Sequence, residues 1–375
     1  MTRQLIKTTI AFFAASCFVV NAQEISSNIT TAVPFLQVSA DARASGLGDQ
    51  GVATSADVFS QQWNSSKYAF APSEMAIGVN VTPYLTRLVN DIILANVGGY
   101  KRLGNGRSAV AFGFRYFSLG EIEFRETGDS EAFTQKPNEF NVDLSYSLKL
   151  SDNYSMSVAG RYLRSDLRLQ AAGLDASAGS SFGVDITGFY RSNSISLGSL
   201  ESRLRAGFAI TNIGPKLSYS EGTENFIPTN LRFGAGLAIN IDAFNKITPS
   251  LEFSKLLVPT PNENGVQEGS AIGSIFSSFN DAPGGFSEEL QEFTTSIAVE
   301  YTYDEVFALR LGYFNENENK GARKFLSLGA GFKYTSIGID LSYLFSTSSV
   351  PSPLEGTLRF GLTFNLGEDM SDYNR

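Results

Sequence analysis

The chain has 375 residues, a net charge of −9, 35 Gly, and 12% aromatic residues carried by 30 Phe and 15 Tyr against one Trp. It has no His and one Cys, Cys17, which argues against a disulfide framework, a structural zinc site and imidazole acid–base chemistry. The acidic balance argues against nucleic acid as a partner.

Residues 1–22 have the layout of a cleavable secretion signal. Arg3 and Lys7 give a basic start, an apolar run from Ile10 to Val20 follows, and Ala22 closes it with a small residue. The run is too short to cross a bilayer as a helix. The mature chain is expected to start at Gln23. A rival reading lipidates Cys17 after Ala15-Ser16, but Ala14 stands where a bulkier aliphatic residue is usual. Cleavage removes two basic residues, no acidic one and the sole cysteine, so the charge moves from −9 to −11. No cofactor or metal site is expected.

Residues 23–72 do not alternate. They carry Asp41, Arg43, Gly46, Gly48, Asp49, Gly51 and Asp57, then Trp63 and Asn64. Three closely spaced glycines permit tight backbone bends, and Asp57 can cap a short helix leading to Trp63. Together with the apolar Val33, Phe35, Leu36 and Val38, this order favours a packed plug over a disordered arm.

From residue 73 to 366 the period changes to two. In 140–150, Phe140, Val142, Leu144, Tyr146, Leu148 and Leu150 share one face; Asn141, Asp143, Ser145, Ser147 and Lys149 share the other. The run is long enough for a tilted strand to cross a hydrocarbon layer. Fourteen such segments are expected: 74–82, 91–101, 107–118, 139–150, 153–164, 181–191, 202–213, 229–241, 246–257, 293–303, 306–315, 324–334, 336–346 and 356–366. The second is the weakest, because Asn96, Gly98 and Gly99 blur its faces. No later apolar run approaches the roughly 18 residues that a membrane helix needs. The expected fold is all-β, a transmembrane antiparallel barrel with an N-terminal plug. A soluble sandwich would alternate too, but Tyr and Phe at strand ends suit an interfacial girdle.

The connections sort by parity. Those after even-numbered strands are mostly short, such as Ser151-Asp152 and Asp304-Glu305; those after odd-numbered strands are long: 119–138, 165–180, 214–228, 258–292, 316–323 and 347–355. Barrels of the outer membrane place short turns in the periplasm and long loops outside. An even strand number then puts both termini in the periplasm.

The longest loop, 258–292, carries Pro259, Ile275, Phe276, Phe279, Phe286 and Leu290, candidates for docking a cargo or partner. Asp143, Glu252, Glu300, Asp340, Arg161, Arg205, Arg232, Arg310 and Arg359 fall on lumen faces. They are expected to pair across strands rather than do acid–base work, since an unpaired buried charge is costly. In the last strand, Arg359, Gly361, Phe364 and Leu366 fit the terminal-strand signal of barrel assembly, and a polar tail, 367–375, follows.

The run from Ala32-Val-Pro34-Phe35 through Asp41-Ala-Arg43, Gly46-Leu-Gly48-Asp49 and Gly51-Val-Ala53 to Gln62-Trp63-Asn64 and Lys67-Tyr68-Ala69-Phe70 resembles the N-terminal signature of the PorV family, also called LptO, within the FadL-like barrels. Asn64-Ser65-Ser66 departs from the Asn-Pro-Ala usual there, which puts the local turn in question. The resemblance implies an outer-membrane shuttle of the type IX secretion system. Such a shuttle takes the C-terminal signal domain of a cargo at a large translocon barrel and delivers it to a sortase-like complex that links cargo to lipopolysaccharide. It also implies no catalysis by this chain. The second expectation is a FadL-like transporter of hydrophobic small molecules, which needs an apolar pocket in the lumen.

Overall fold

The computed structural model describes residues 28–85, 89, 91–124, 133–167, 177–220, 223–262, 265–348 and 355–368. The expected signal, the expected start at Gln23 and residues 369–375 of the expected tail lie outside the described residues.

Strand Asn138–Lys149 shows how the alternating segments fold. Val142, Leu144 and Tyr146 are 40%, 65% and 49% exposed, while Asn141, Asp143, Ser145 and Ser147 between them are buried. A half-solvated soluble sheet turns its apolar face to the core. Here the pattern is inverted, which suits a wall between lipid and an enclosed lumen and removes the sandwich alternative. Leu144→Arg is accordingly expected to cost about 2–4 kcal/mol, measurable as a shift in denaturant unfolding from lipid vesicles.

All fourteen expected strands are present, with ends within two residues of expectation. They are β1 Ser73–Pro83, β2 Ile92–Arg102, β3 Ser108–Leu119, β4 Asn138–Lys149, β5 Tyr154–Asp166, β6 Gly179–Arg191 and β7 Leu200–Ile213. The second half is β8 Asn230–Asn240, β9 Asn245–Leu256, β10 Thr294–Tyr303, β11 Phe307–Asn315, β12 Lys324–Tyr334, β13 Ile337–Ser346 and β14 Leu358–Glu368. Each pairs antiparallel with its neighbours in sequence, and β1 pairs with β14 from Ser73↔Glu368 to Val81↔Phe360. The ring therefore closes without a free edge.

Short turns join strands at one end of the barrel and long loops at the other. The long loops carry structure that the sequence did not announce. Ile122–Phe124 pairs with Phe133–Gln135, and Leu217–Ser220 pairs with Thr223–Asn225. The loop after β9 holds two short helices, α1 Ala271–Ser277 and α2 Phe286–Gln291.

The N-terminal segment fills the lumen. It begins at the long-loop end, where the Ala32 amide donates to the Phe226 carbonyl at 2.8 Å. It descends to a 3-10 turn at Ser65–Phe70, beside the short-turn end, and then enters β1. The barrel's own first and last strands begin and end at the short-turn end, as parity requires. Residue 28 lies at the opposite end, because the plug runs the length of the lumen before reaching β1.

Apolar clusters close the lumen at both ends. Val33, Phe35, Leu36 and Ala40 pack on Leu94, Phe117 and Leu163 at the long-loop end. Val58, Phe59 and Tyr68 pack on Ala76, Tyr100, Ala109 and Ala111 at the other. A charged belt lies between them.

Candidate functional site

The plug residues singled out in the sequence form one seat. Asp41 caps the turn Ala42–Gly46: its Oδ1 accepts from the amides of Arg43 at 2.8 Å and Ala44 at 3.2 Å. Its Oδ2 accepts from Trp63 Nε1 at 3.1 Å. The Arg232 guanidinium lies 4.7 Å from the Trp63 ring centre and 3.5 Å from Glu252. Glu252 in turn accepts from the amides of Gly51 at 2.8 Å and Val52 at 2.9 Å. Gly51 has no room for a side chain, since a Cβ would enter the Trp63 ring.

Arg43 is the second hub. It donates to Asp57 at 2.6 Å and to Glu300 at 3.1 and 3.2 Å. Glu300 also accepts from Arg310 at 2.7 Å, and Arg310 reaches Asp340 at 2.6 Å. Asp57 additionally accepts from the Phe59 amide at 3.0 Å and the Ser60 hydroxyl at 3.1 Å, ahead of the 3-10 turn Ser60–Gln62, whose N-cap is Phe59 and not the expected Asp57. Asp49 meets Arg359 of β14 at 3.3 Å.

Asn64 accepts from the Ser66 amide at 3.1 Å and donates to the carbonyls of Val52 and Gly188. Ser65 occupies the position where the family pattern has proline, and Asn64 still caps the turn. Nearby wall hydroxyls take up the plug backbone. Ser147 and Ser155 donate to the carbonyls of Ser65 and Ser66, and Ser296 donates to that of Gly48.

The expected lumen charges all point inward, and most pair as anticipated. Arg161 meets Asp143 at 2.5 Å and Asp185 at 3.0 Å across β4–β6. Arg115, which the sequence reading did not single out, donates to the carbonyls of Phe35, Leu36 and Val38. Arg205 is buried with no hydrogen-bond partner at Nε among the described residues. Asp143, Glu252, Glu300 and Asp340 each sit against an arginine of the wall, and Glu252 and Glu300 also hold the plug.

The sequence reading also missed the inward glycines. Gly312 and Gly329 lie directly under Gly48 and Gly46, and a Cβ on Gly46 would lie 2.9 Å from the Gly329 Cα. Gly98 and Gly207 take the carbonyls of Val58 and Val52 in the same way. Their signal was available as Gly at inward parity on several strands. Cavities in the lumen include two of about 10 Å³ each, enough for one water. One is lined mainly by polar groups, including Gln37, Gln62, Arg115, Arg161, Asn212 and Arg232.

The loop after β9 is the other candidate site. Phe276, Phe279, Phe286 and Leu290 are exposed, as is Ile272, which the sequence reading passed over. Ile275 is half-buried and Pro259 is buried, so Pro259 supports the loop from beneath. The anchor is ionic. Lys255 of β9 pairs with Glu289 at 3.1 Å and with Glu292, Thr260 donates to Glu292 at 2.6 Å, and Lys320 meets Glu288 and Glu292. Burial holds the Asp281 carboxyl above its ordinary range. In β14, Phe364 and Leu366 face outward, while Arg359 and Gly361 face the plug.

A closed fourteen-stranded wall, apolar outside and stoppered by its own N-terminal segment, defines an outer-membrane barrel of the hydrocarbon-channel fold. The "TodX deltaS2S3 mutant monoaromatic hydrocarbon channel" superposes with a TM-score of 0.52 at 11% identity, covering 87% of this chain and 98% of that one. The Ralstonia pickettii toluene transporter TbuX gives 0.50 at 11%, covering 89% and 99%, and the Pseudomonas putida toluene transporter TodX gives 0.50 at 11%, covering 85% and 95%. At such identity the likeness shows the fold alone. The chain belongs to the family described as Type IX secretion system protein PorV, whose model matches residues 21–263. Comparison with curated proteins finds no match.

Proposed function

We propose that this barrel is the outer-membrane shuttle of type IX secretion. It binds the C-terminal signal domain of cargo at the large translocon barrel and delivers it to the sortase-like complex that attaches cargo to lipopolysaccharide. The long loops face the cell exterior, and the ends of β1 and β14 face the periplasm. The helical loop, through Phe276, Phe279, Phe286 and Leu290, is the docking surface, with Ile275 and Pro259 stiffening it.

Family membership supports the secretion setting. The observation that favours holding a partner over passing a solute is the filled lumen. Transport of a hydrophobic molecule such as toluene, which TbuX and TodX are named for transporting, needs an apolar path. This lumen is occupied by the plug, with polar contacts along its length and water-sized cavities.

Affinity capture from detergent-solubilised membranes tests the reading. A very large barrel and proteins sharing a C-terminal domain are expected to co-purify; recovery of neither favours transport. Deleting 262–288 is expected to leave an assembled barrel at normal abundance while secretion of such cargo falls at least tenfold. Normal secretion by that variant removes the loop from the docking role.

A further inference from the structure

The loop helices are amphipathic in the wrong sense for water. In α1 and the turn after it, Ser274 and Ser278 are buried, while Ile272 and Phe276 stand 68% and 77% exposed. In and after α2, Glu289 and Glu292 are buried, while Phe286 and Leu290 stand 76% and 55% exposed. Polar inside and apolar outside is the pattern of the barrel strands themselves, where the outer surroundings are lipid.

The position of Lys255 says where this face lies. Along β9, Glu252 points into the lumen, so Leu251, Phe253 and Lys255 share the outer face. Lys255 is nonetheless 1% exposed, because Glu289, Glu292 and the rings of Phe279 and Phe293 cover it. The helices therefore lie at the rim beside the upper end of the outer wall, where Glu292 is shared by Lys255 of the strand and by Thr260 and Lys320 of the loops. Their base continues into the outward aromatics: the Phe293 ring lies 6.5 Å from that of Phe233, which stacks on Phe253 at 5.4 Å.

We infer that α1 and α2 form a collar at the outer rim of β9 and β10, with their exposed face seated among the acyl chains of the lipid leaflet at the long-loop end. The ionic anchor neutralises an outward lysine that would otherwise meet lipid bare. The exposed face extends the lipid-facing band, which accounts for a contiguous apolar surface that water would disfavour. The inference rests on the barrel's place in a membrane and not on the shuttle role; it describes the barrel without cargo, and a partner docking on Phe276 and Phe286 would have to displace that lipid. With the orientation proposed above, the leaflet is the lipopolysaccharide one.

Site-directed spin labelling tests it. Cys17 lies in the expected signal, so the mature chain offers a cysteine-free background. Ile272→Cys and Phe286→Cys would each be labelled in the full mature barrel, one copy per phospholipid nanodisc. Glu123→Cys, at an exposed position beside the exposed Ile122, is the aqueous control. Folding of each variant is confirmed by heat-modifiable gel mobility. Collisions with oxygen are expected to exceed those with a water-soluble nickel chelate severalfold at positions 272 and 286, with the reverse at 123. Nickel-favoured collisions at 272 and 286 overturn the inference, since the face would then be in water. Shielding from both reagents overturns it too, since protein would then cover the face. Lipid contact at a loop whose deletion leaves secretion intact would retain this inference and remove the docking role alone.

Discussion

Gly312→Leu is expected to abolish the folded barrel. The heat-modifiable band of a closed barrel should disappear, while Gly104→Leu should migrate as the parent. At Gly312 an added Cβ would fall on the Gly48 nitrogen and the Leu47 carbonyl carbon, both backbone atoms that cannot rotate away. Over-packing of a side chain into a core usually costs about 1–3 kcal/mol because neighbours adjust. Here the neighbour is the plug backbone, pinned on one side by Arg43–Glu300 and on the other by Asp49–Arg359, so the cost should exceed that range. At Gly104, in the turn after β2, nothing lies within 4 Å of the added carbon. A folded Gly312→Leu barrel of parental stability would mean that the plug does not sit against β11.

Glu300→Ala is expected to destabilise the plugged barrel by about 3–5 kcal/mol, because it strands buried charge. Glu300 accepts from Arg43 of the plug and Arg310 of the wall, and both guanidinium groups are largely buried. Removing the carboxylate leaves Asp57 for Arg43 and Asp340 for Arg310, and the two cations lose the group between them. The additional change Arg310→Met should deepen the loss, since it takes from Asp340 the arginine it keeps in the single variant. Guanidinium unfolding of the purified barrel in detergent measures both. An unchanged midpoint for Glu300→Ala would show that the belt contributes nothing to holding the plug.

The wall was legible in the sequence because its chemistry is local. In β4, each residue from Phe140 to Leu148 declares its own side by polarity, and the inverted burial follows once a membrane is supposed. Parity of loop length located the two ends for the same reason. The plug was legible as a packed segment from Asp41 to Asn64, yet its contacts were not. Arg43 meets Glu300 across most of the chain, and no pattern within a window of residues connects them. Arg115 was missed because its partners are backbone carbonyls, which carry no residue identity. Pro259 illustrates the converse: a loop proline suggests surface, but this one is buried, with Gln267 of the same loop donating to its carbonyl at 2.9 Å. The helices themselves were hidden because their apolar residues face away from the protein, so a search for a core-facing stripe finds none.

The plug runs along the barrel axis and is joined directly to β1, and β1 is the seam partner of β14. An empty cylinder cannot be made first and filled afterwards by this chain. Glycine-lined contact between plug and wall leaves little clearance for threading, so the wall is expected to close around a segment already in place. Emptying the mature cylinder would require that same seam to be unzipped. Its occupant is then retained by a kinetic barrier set by seam hydrogen bonds, however weak each individual plug contact is.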